Sequence, residues 1–154
     1  MSRRDLATRP SAIAGLGLFA RRPFGAGETI ARYTGRSSGT PPAPAPGTTA
    51  VYALELRPGL WLDGSAADNP ARHANHSCDP NAELVWPGLG ASARLVARRP
   101  IPPDEEITFD YGFSLADSLG HPCACGQADC AGRIVAAPLR PALRRHVRFS
   151  RPRD

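Results

Sequence analysis

The chain has 154 residues and a mass of 16.3 kDa, enough for one domain with a real core and too little for two. An apolar share of 42% and a charged share of 21% are those of a soluble globular protein, and no stretch approaches the ~18 uninterrupted apolar residues of a membrane span. All 19 basic residues are Arg, and the net charge of +5 is unevenly spread: residues 1–137 carry 13 Arg and 13 acidic residues, whereas 138–154 carry six Arg and one Asp.

The opening MSRRDLATRP has basic residues but no apolar stretch behind them, so we expect no secretory signal peptide and a reducing, cytoplasmic compartment. The abundance of Arg, Ala, Pro and Gly suggests a bacterial source, with export as an effector left open. Next comes GLGLFA at 15–20, which matches a dinucleotide-binding glycine pattern, but Pro23, Gly25 and Gly27 forbid the helix that pattern requires. SSGTPPAPAPGTTA at 37–50 reads as a Pro/Ala/Gly-rich extended loop. Apolar residues then alternate with polar ones: Tyr52, Leu54 and Leu56; Leu60 and Leu62; Leu84 and Trp86; Ala93, Leu95 and Ala97; Ile107, Phe109, Tyr111 and Phe113. That period predicts short, half-buried strands, separated by turns at Gly25 and Gly27, at Pro87 and Gly88, and at Pro102 and Pro103. With 17 Pro and 15 Gly, long helices are excluded and the chain is expected to be mostly β. The final segment differs: Leu139, Leu143 and Val147 are four apart, as in a short amphipathic helix with Arg on its other faces.

Four cysteines are present, Cys78 and the cluster Cys123, Cys125 and Cys130 in CACGQADC. Four thiolates complete one tetrahedral zinc site with no open position, hence a structural one. Two disulfides or four unrelated thiols are the alternatives, and a reducing compartment argues against the first.

Four segments together resemble the SET domain, the fold of one class of protein lysine methyltransferases. GLGLFARRPFGAGETIARYTG at 15–35 is similar to that family's Gly-x-Gly opening and following strand. ARHANHSCDPNAEL at 71–84 resembles its Asn-His-Ser-Cys-x-Pro-Asn signature, PDEEITFDYGF at 103–113 its Glu-Glu-Leu-Thr-Phe-Asp-Tyr-Gly segment, and CACGQADCAGRI at 123–134 its post-SET zinc segment. The resemblance covers roughly residues 12–136. It implies a β-clip-like fold of several small sheets with a knot-like crossing near the Asn-His-Ser-Cys segment. It also implies a SET domain over 1–117, a zinc-bound post-SET segment over 118–137 and a basic tail over 138–154. The short insert between Gly35 and Trp61 departs from the family. So does Arg133-Ile134-Val135, where an aromatic often follows the third post-SET cysteine.

By resemblance the reaction is methyl transfer from S-adenosylmethionine to a lysine ε-amine. Tyr111 would be catalytic, orienting the amine and the cofactor. Phe109 would leave room for di- or trimethylation, and Tyr33 would line the lysine channel. Leu16, Gly17, Leu18 and Phe19 would meet the cofactor through their backbone, with Tyr52, Arg72, Asn75, His76 and Tyr111 completing the cofactor site. Cys78, Cys123, Cys125 and Cys130 would share one zinc. The body over 1–137 is neutral and Asp104, Glu105, Glu106 and Asp110 cluster near the catalytic strand, so a basic, lysine-bearing protein or peptide, histone-like or other, would not be repelled there. The alternatives are a catalytically silent SET-like module that binds peptides, or a nucleic-acid-associated protein acting through the tail arginines Arg140, Arg144, Arg145, Arg148, Arg151 and Arg153.

Overall fold

The computed structural model describes residues 3–44, 52–88 and 92–149, with side chains described up to Arg145. Strand β9 (Ser92–Ala97) follows the sequence period closely: Ala93, Leu95 and Ala97 turn inward and are at most 1% exposed. It lies between β3 (Thr29–Thr34) and β8 (Ala82–Val85), antiparallel to both, with Leu95 opposite Ala31 on one side and Leu84 on the other. A register shift between Thr29 and Ala31 interrupts the β3–β9 ladder.

A second sheet places β6 (Leu60–Asp63) between β4 (Arg36–Ser38) and β5 (Ala53–Arg57), with the Leu62 side chain fully buried. Here the expected Pro-rich loop begins later than the sequence suggests. Ser37 and Ser38 pair with Leu62 and Trp61, so β6 recruits the loop's first residues into its ladder. Residues 45–50 of that stretch lie outside the described residues.

The third sheet carries the site. Its order is β1 (Leu6–Pro10), β2 (Leu16–Ala20), β10 (Glu106–Phe109), β7 (Asn75–His76). Strand β2 is antiparallel to both neighbours, whereas β7 runs parallel to β10, setting Asn75 beside Thr108 and His76 beside Phe109. Through this parallel pairing the Asn-His-Ser-Cys segment meets the Glu106–Gly112 segment. Leu18, Phe24, Ile30, Leu95, Ile101 and Ile107 fill the space between the sheets with almost no exposure.

Two boundaries differ from expectation. Strand β10 ends at Phe109, not at Phe113: the Tyr111 N–H goes to His76 Nδ1 and the Gly112 N–H to Asp110 Oδ1 instead of to a neighbouring strand, and Gly112 turns the chain with φ +70°. A one-turn helix α1 (Leu115–Ser118) follows, capped by Ser114, whose hydroxyl accepts the Asp117 N–H. The expected C-terminal helix is α2 (Arg140–Phe149), and Leu143 is its buried anchor at 1% exposure. Val147's side chain and residues 150–154 of the tail lie outside the described residues. Among the described residues no helix is long and apolar enough to cross a membrane.

Candidate active site and metal centre

Tyr111 sits just past the end of β10, where the backbone turns. Its ring lies 4.9 Å from that of Phe109, 5.8 Å from Phe113 and 5.5 Å, edge-on, from His76. Its hydroxyl donates to the Ala74 carbonyl at 3.1 Å, and its N–H donates to His76 Nδ1 at 3.2 Å. Burial, with the Tyr52 phenol nearby, pushes the Tyr111 hydroxyl up to about 12, so it is protonated at neutral pH. Accepting that N–H leaves His76 with its proton on Nε2, 3.7 Å from Cys78 Sγ. Asp110 Oδ1 lies 3.7 Å from His76 Nδ1, yet burial holds the imidazole down to about 4, so the two form no ion pair at neutral pH.

The other end of β7 faces β2. The Asn75 amide donates to the Ala14 carbonyl at 3.1 Å, to the Leu16 carbonyl at 3.3 Å and to Glu106 Oε1 at 2.8 Å. A Cβ at Gly17 would come within 2.4 Å of Glu106 Oε1, so a larger residue there would displace the carboxylate that accepts from Asn75 and Ser11. Strand β10 pairs with β2 only at Leu18 and Phe19, which also pair with β1. The backbone of these two residues is therefore flanked on both sides, and Leu16 and Gly17 lie beyond the end of that ladder. Leu16 is 49% exposed and Leu18 is fully buried.

Tyr33 is buried and its hydroxyl donates to the Tyr52 carbonyl at 3.0 Å, the same oxygen that accepts the Gly64 N–H. Burial and the neighbouring phenols of Tyr111 and Tyr52 raise its pKa, so the three tyrosines form one neighbourhood. Gly64 makes room for the Tyr33 ring, since a Cβ there would fall 2.1 Å from Cε1. Arg72 turns towards this group: its guanidinium lies 5.3 Å from the Tyr52 ring centre and donates to the Ser65 carbonyl and to His73 Nε2.

The sulfurs of Cys78, Cys123, Cys125 and Cys130 all lie within 4.8 Å of one another, and none is in a disulfide. A zinc ion with Zn–S bonds of about 2.3 Å holds its sulfurs about 3.8 Å apart. The Cys78–Cys123 separation of 4.0 Å is close to that and too long for an S–S bond. Burial raises the Cys78 and Cys123 thiols. It also pushes on Cys125, where the N–H groups of Cys78 and Gln127 and the thiols of Cys123 and Cys130 outweigh it and lower the pKa to about 7. A closed all-thiolate set of this kind fits one structural zinc.

Several residues that hold the site had no role assigned from sequence. Asn81 is 2% exposed and donates to Glu105 Oε1 and to the Glu106 carbonyl, while its own oxygen accepts the Thr108 N–H at 2.9 Å. Glu106 accepts from Ser11 and Asn75. Both stand inside motifs read as such, but their partners are up to 95 positions away, beyond any local pattern. Of the acidic residues near β10, Asp104 pairs with Arg9, Glu105 with Arg99 and Asp110 with Arg140, whereas Glu106 is held by neutral donors.

A family model described as the SET domain matches residues 15–112. Among curated proteins, the histone-lysine N-methyltransferase ash1 of Drosophila melanogaster is 42% identical over 89 residues, 56% of this chain and 4% of that protein. The histone-lysine N-methyltransferase SETD1 of the same species is 32% identical over 141 residues, 86% of this chain and 8% of that protein. The chain thus spans less than a tenth of the length of either. The crystal structure of KRYPTONITE in complex with mCHH DNA, H3(1-15) peptide and SAH matches with a TM-score of 0.69 and 28% identity, over 84% of this chain and 29% of that one. The parallel β7–β10 pairing and the tyrosine beyond it fall within the matched span, and the chain belongs to the SET-domain family.

Proposed function

We propose that the chain is a protein-lysine N-methyltransferase, moving methyl groups from S-adenosylmethionine to the ε-amine of a lysine in a basic protein or peptide of the histone H3 kind. The observation that carries this reading is the Tyr111 hydroxyl: neutral, fixed on the Ala74 carbonyl, and set between an aromatic cluster and the Asn75–His76 strand. The names of the relatives support it, as does a fold neighbour crystallised with an H3 peptide and SAH.

S-adenosylmethionine, when bound, supplies a methyl group already activated by its sulfonium charge, so the protein's part is positioning. Asn75 and the backbone of Leu16 and Gly17 would hold it, where β2 runs past the end of β10. Leu18 and Phe19 would shape that strand, and Tyr52, Arg72 and His76 would border the site. Tyr111 acts through its O–H, as a phenol with a pKa of about 12 is no base at neutral pH. The incoming lysine must lose its proton to solvent before it is enclosed, at a cost of about 4.6 kcal/mol at pH 7 from a reference pKa near 10.4. Tyr33, Phe109 and Phe113 supply ring surface that disfavours the ammonium form. Phe109 in place of a second tyrosine supports di- or trimethylation. The four cysteines would hold one zinc, which would brace the segment after Tyr111. A thiolate cluster of this kind supports a reducing, cytoplasmic setting. A free nucleic-acid-binding arm is less well supported, since Arg140 and Arg144 are turned onto the protein itself.

The test is label transfer from S-adenosylmethionine to a synthetic H3(1–15) peptide. The chain has no Lys, so lysine-borne label belongs to the peptide. Tyr111→Phe is expected to lower turnover by at least about 100-fold while calorimetric cofactor affinity stays within about twofold. Unchanged turnover would remove Tyr111 from this role. Wild-type protein that binds peptide but never transfers label would favour the silent module. Phe109→Tyr is expected to shift the product towards monomethyl-lysine by mass spectrometry.

A further inference from the structure

We infer that Arg140, the first residue of α2, is a positioning residue that holds the Tyr111 turn in register with the metal centre; this rests on the methyltransferase reading. The residue lies outside the segment matched by the family model, which ends at 112. It belongs to a tail whose arginines read from sequence as one basic surface. Its guanidinium instead points inward, with a side chain 17% exposed.

Two contacts define what it does. Nη1 donates to the backbone carbonyl of Cys78, one of the four metal-site cysteines. Nη2 lies 3.4 Å from Asp110 Oδ2. Asp110 is the residue before Tyr111, and both of its oxygens are committed to the surrounding backbone. Oδ1 accepts the Gly112 N–H at 2.9 Å, and Oδ2 accepts the Ala137 N–H at 2.9 Å. The Tyr111 N–H is held by His76. The Asp110–Gly112 turn is thus pinned at each of its three residues, and Arg140 is the cation that fixes the carboxylate at its start. A planar guanidinium can engage a carbonyl and a carboxylate together, which a single point charge does less well. Tyr111 stands on this turn, so a shift of a fraction of an ångström at Asp110 is carried to the hydroxyl and its bond to the Ala74 carbonyl.

Arg144 serves as the internal control. It also ties α2 to the body, through the Asp129 carbonyl at 3.1 Å, but has no contact with Asp110. The experiment compares Arg140→Met and Arg144→Met in the full chain. It reads turnover on the H3(1–15) peptide, KM for S-adenosylmethionine, zinc content, and hydrogen exchange of the backbone amides of residues 109–113. For Arg140→Met, kcat is expected to fall about tenfold with KM changed by less than about twofold, amide exchange at 109–113 to quicken, and zinc to stay near one per chain. Arg144→Met is expected to leave all four near wild type. Unchanged exchange in Arg140→Met, loss of its zinc, or an equal effect from Arg144→Met would overturn the proposal. If the wild type transfers no label, the methyltransferase reading fails on its own, and the exchange comparison still decides whether Arg140 holds the turn.

Discussion

The β3–β9–β8 sheet and the segment from Asp110 to Leu143 are held together by opposite means. In the sheet, Ala93, Leu95, Ala97, Ile30 and Ala31 are almost wholly buried, and the ladder is continuous save for one register shift. The later segment has little regular structure before α2, and few of its apolar residues are buried, Val135 and Leu143 among them. Four sulfurs placed to share one zinc, an aspartate and the inward Arg140 do most of the holding. Apolar burial is diffuse and tolerant of small changes, whereas a metal centre and a pinned turn depend on single atoms. Chemistry is sited where the second regime begins.

The largest separation should come from Cys125→Ser. It removes one of four ligands, and bound zinc is expected to drop from about one per chain to a small fraction. Exchange should rise across 121–136 while the amides of β3 and β9 stay protected. Simultaneous loss of protection in both regions would mean that they form one cooperative unit.

Leu95→Ala attacks from the other side. A fully buried leucine cut back to alanine costs about 2–5 kcal/mol, so the denaturant midpoint should fall markedly while zinc content in the remaining native protein stays near one. Loss of zinc from folded Leu95→Ala protein would contradict the division.

How much of each region could be read in advance follows the same line. Strand β9 was legible because its inward residues repeat every second position. Strand β7 was not, because two residues cannot show a period, and β1 was not, because Leu6 is its only buried member. The cysteine cluster was legible in its local half; Cys78, 45 positions upstream, was joined to it by counting four thiolates for one zinc and by the resemblance, not by any local spacing. Phe109 and Tyr111 were expected on one face of one strand, but the strand stops at Phe109 and their rings meet across the turn. Charge counting located the tail's excess but could not tell that Arg140 faces inward.

A smaller effect sharpens the border between the regions. Asn81 stitches the entry of β8 to β10 with three hydrogen bonds. Asn81→Ala leaves the Thr108 N–H without its acceptor and is expected to cost about 1–3 kcal/mol. Stability should be measured by denaturant titration, with cofactor affinity alongside. A stability loss of that size with affinity unchanged would place Asn81 on the sheet's side of the border.

The parallel pairing of β7 with β10 also has a kinetic meaning. A parallel contact cannot be closed by a hairpin, and residues 75–76 must wait for 108–109 to be made before they pair. Cys78 waits longer, for Cys130, and the Tyr111 turn waits for Arg140. Contacts so distant in sequence are the slow ones in folding. During synthesis the strands of the first two sheets are therefore made while the site is still unmade, and a nascent chain halted after residue 104 would carry an unliganded thiol at Cys78, a core still lacking Ile107 and Phe109, and no active centre.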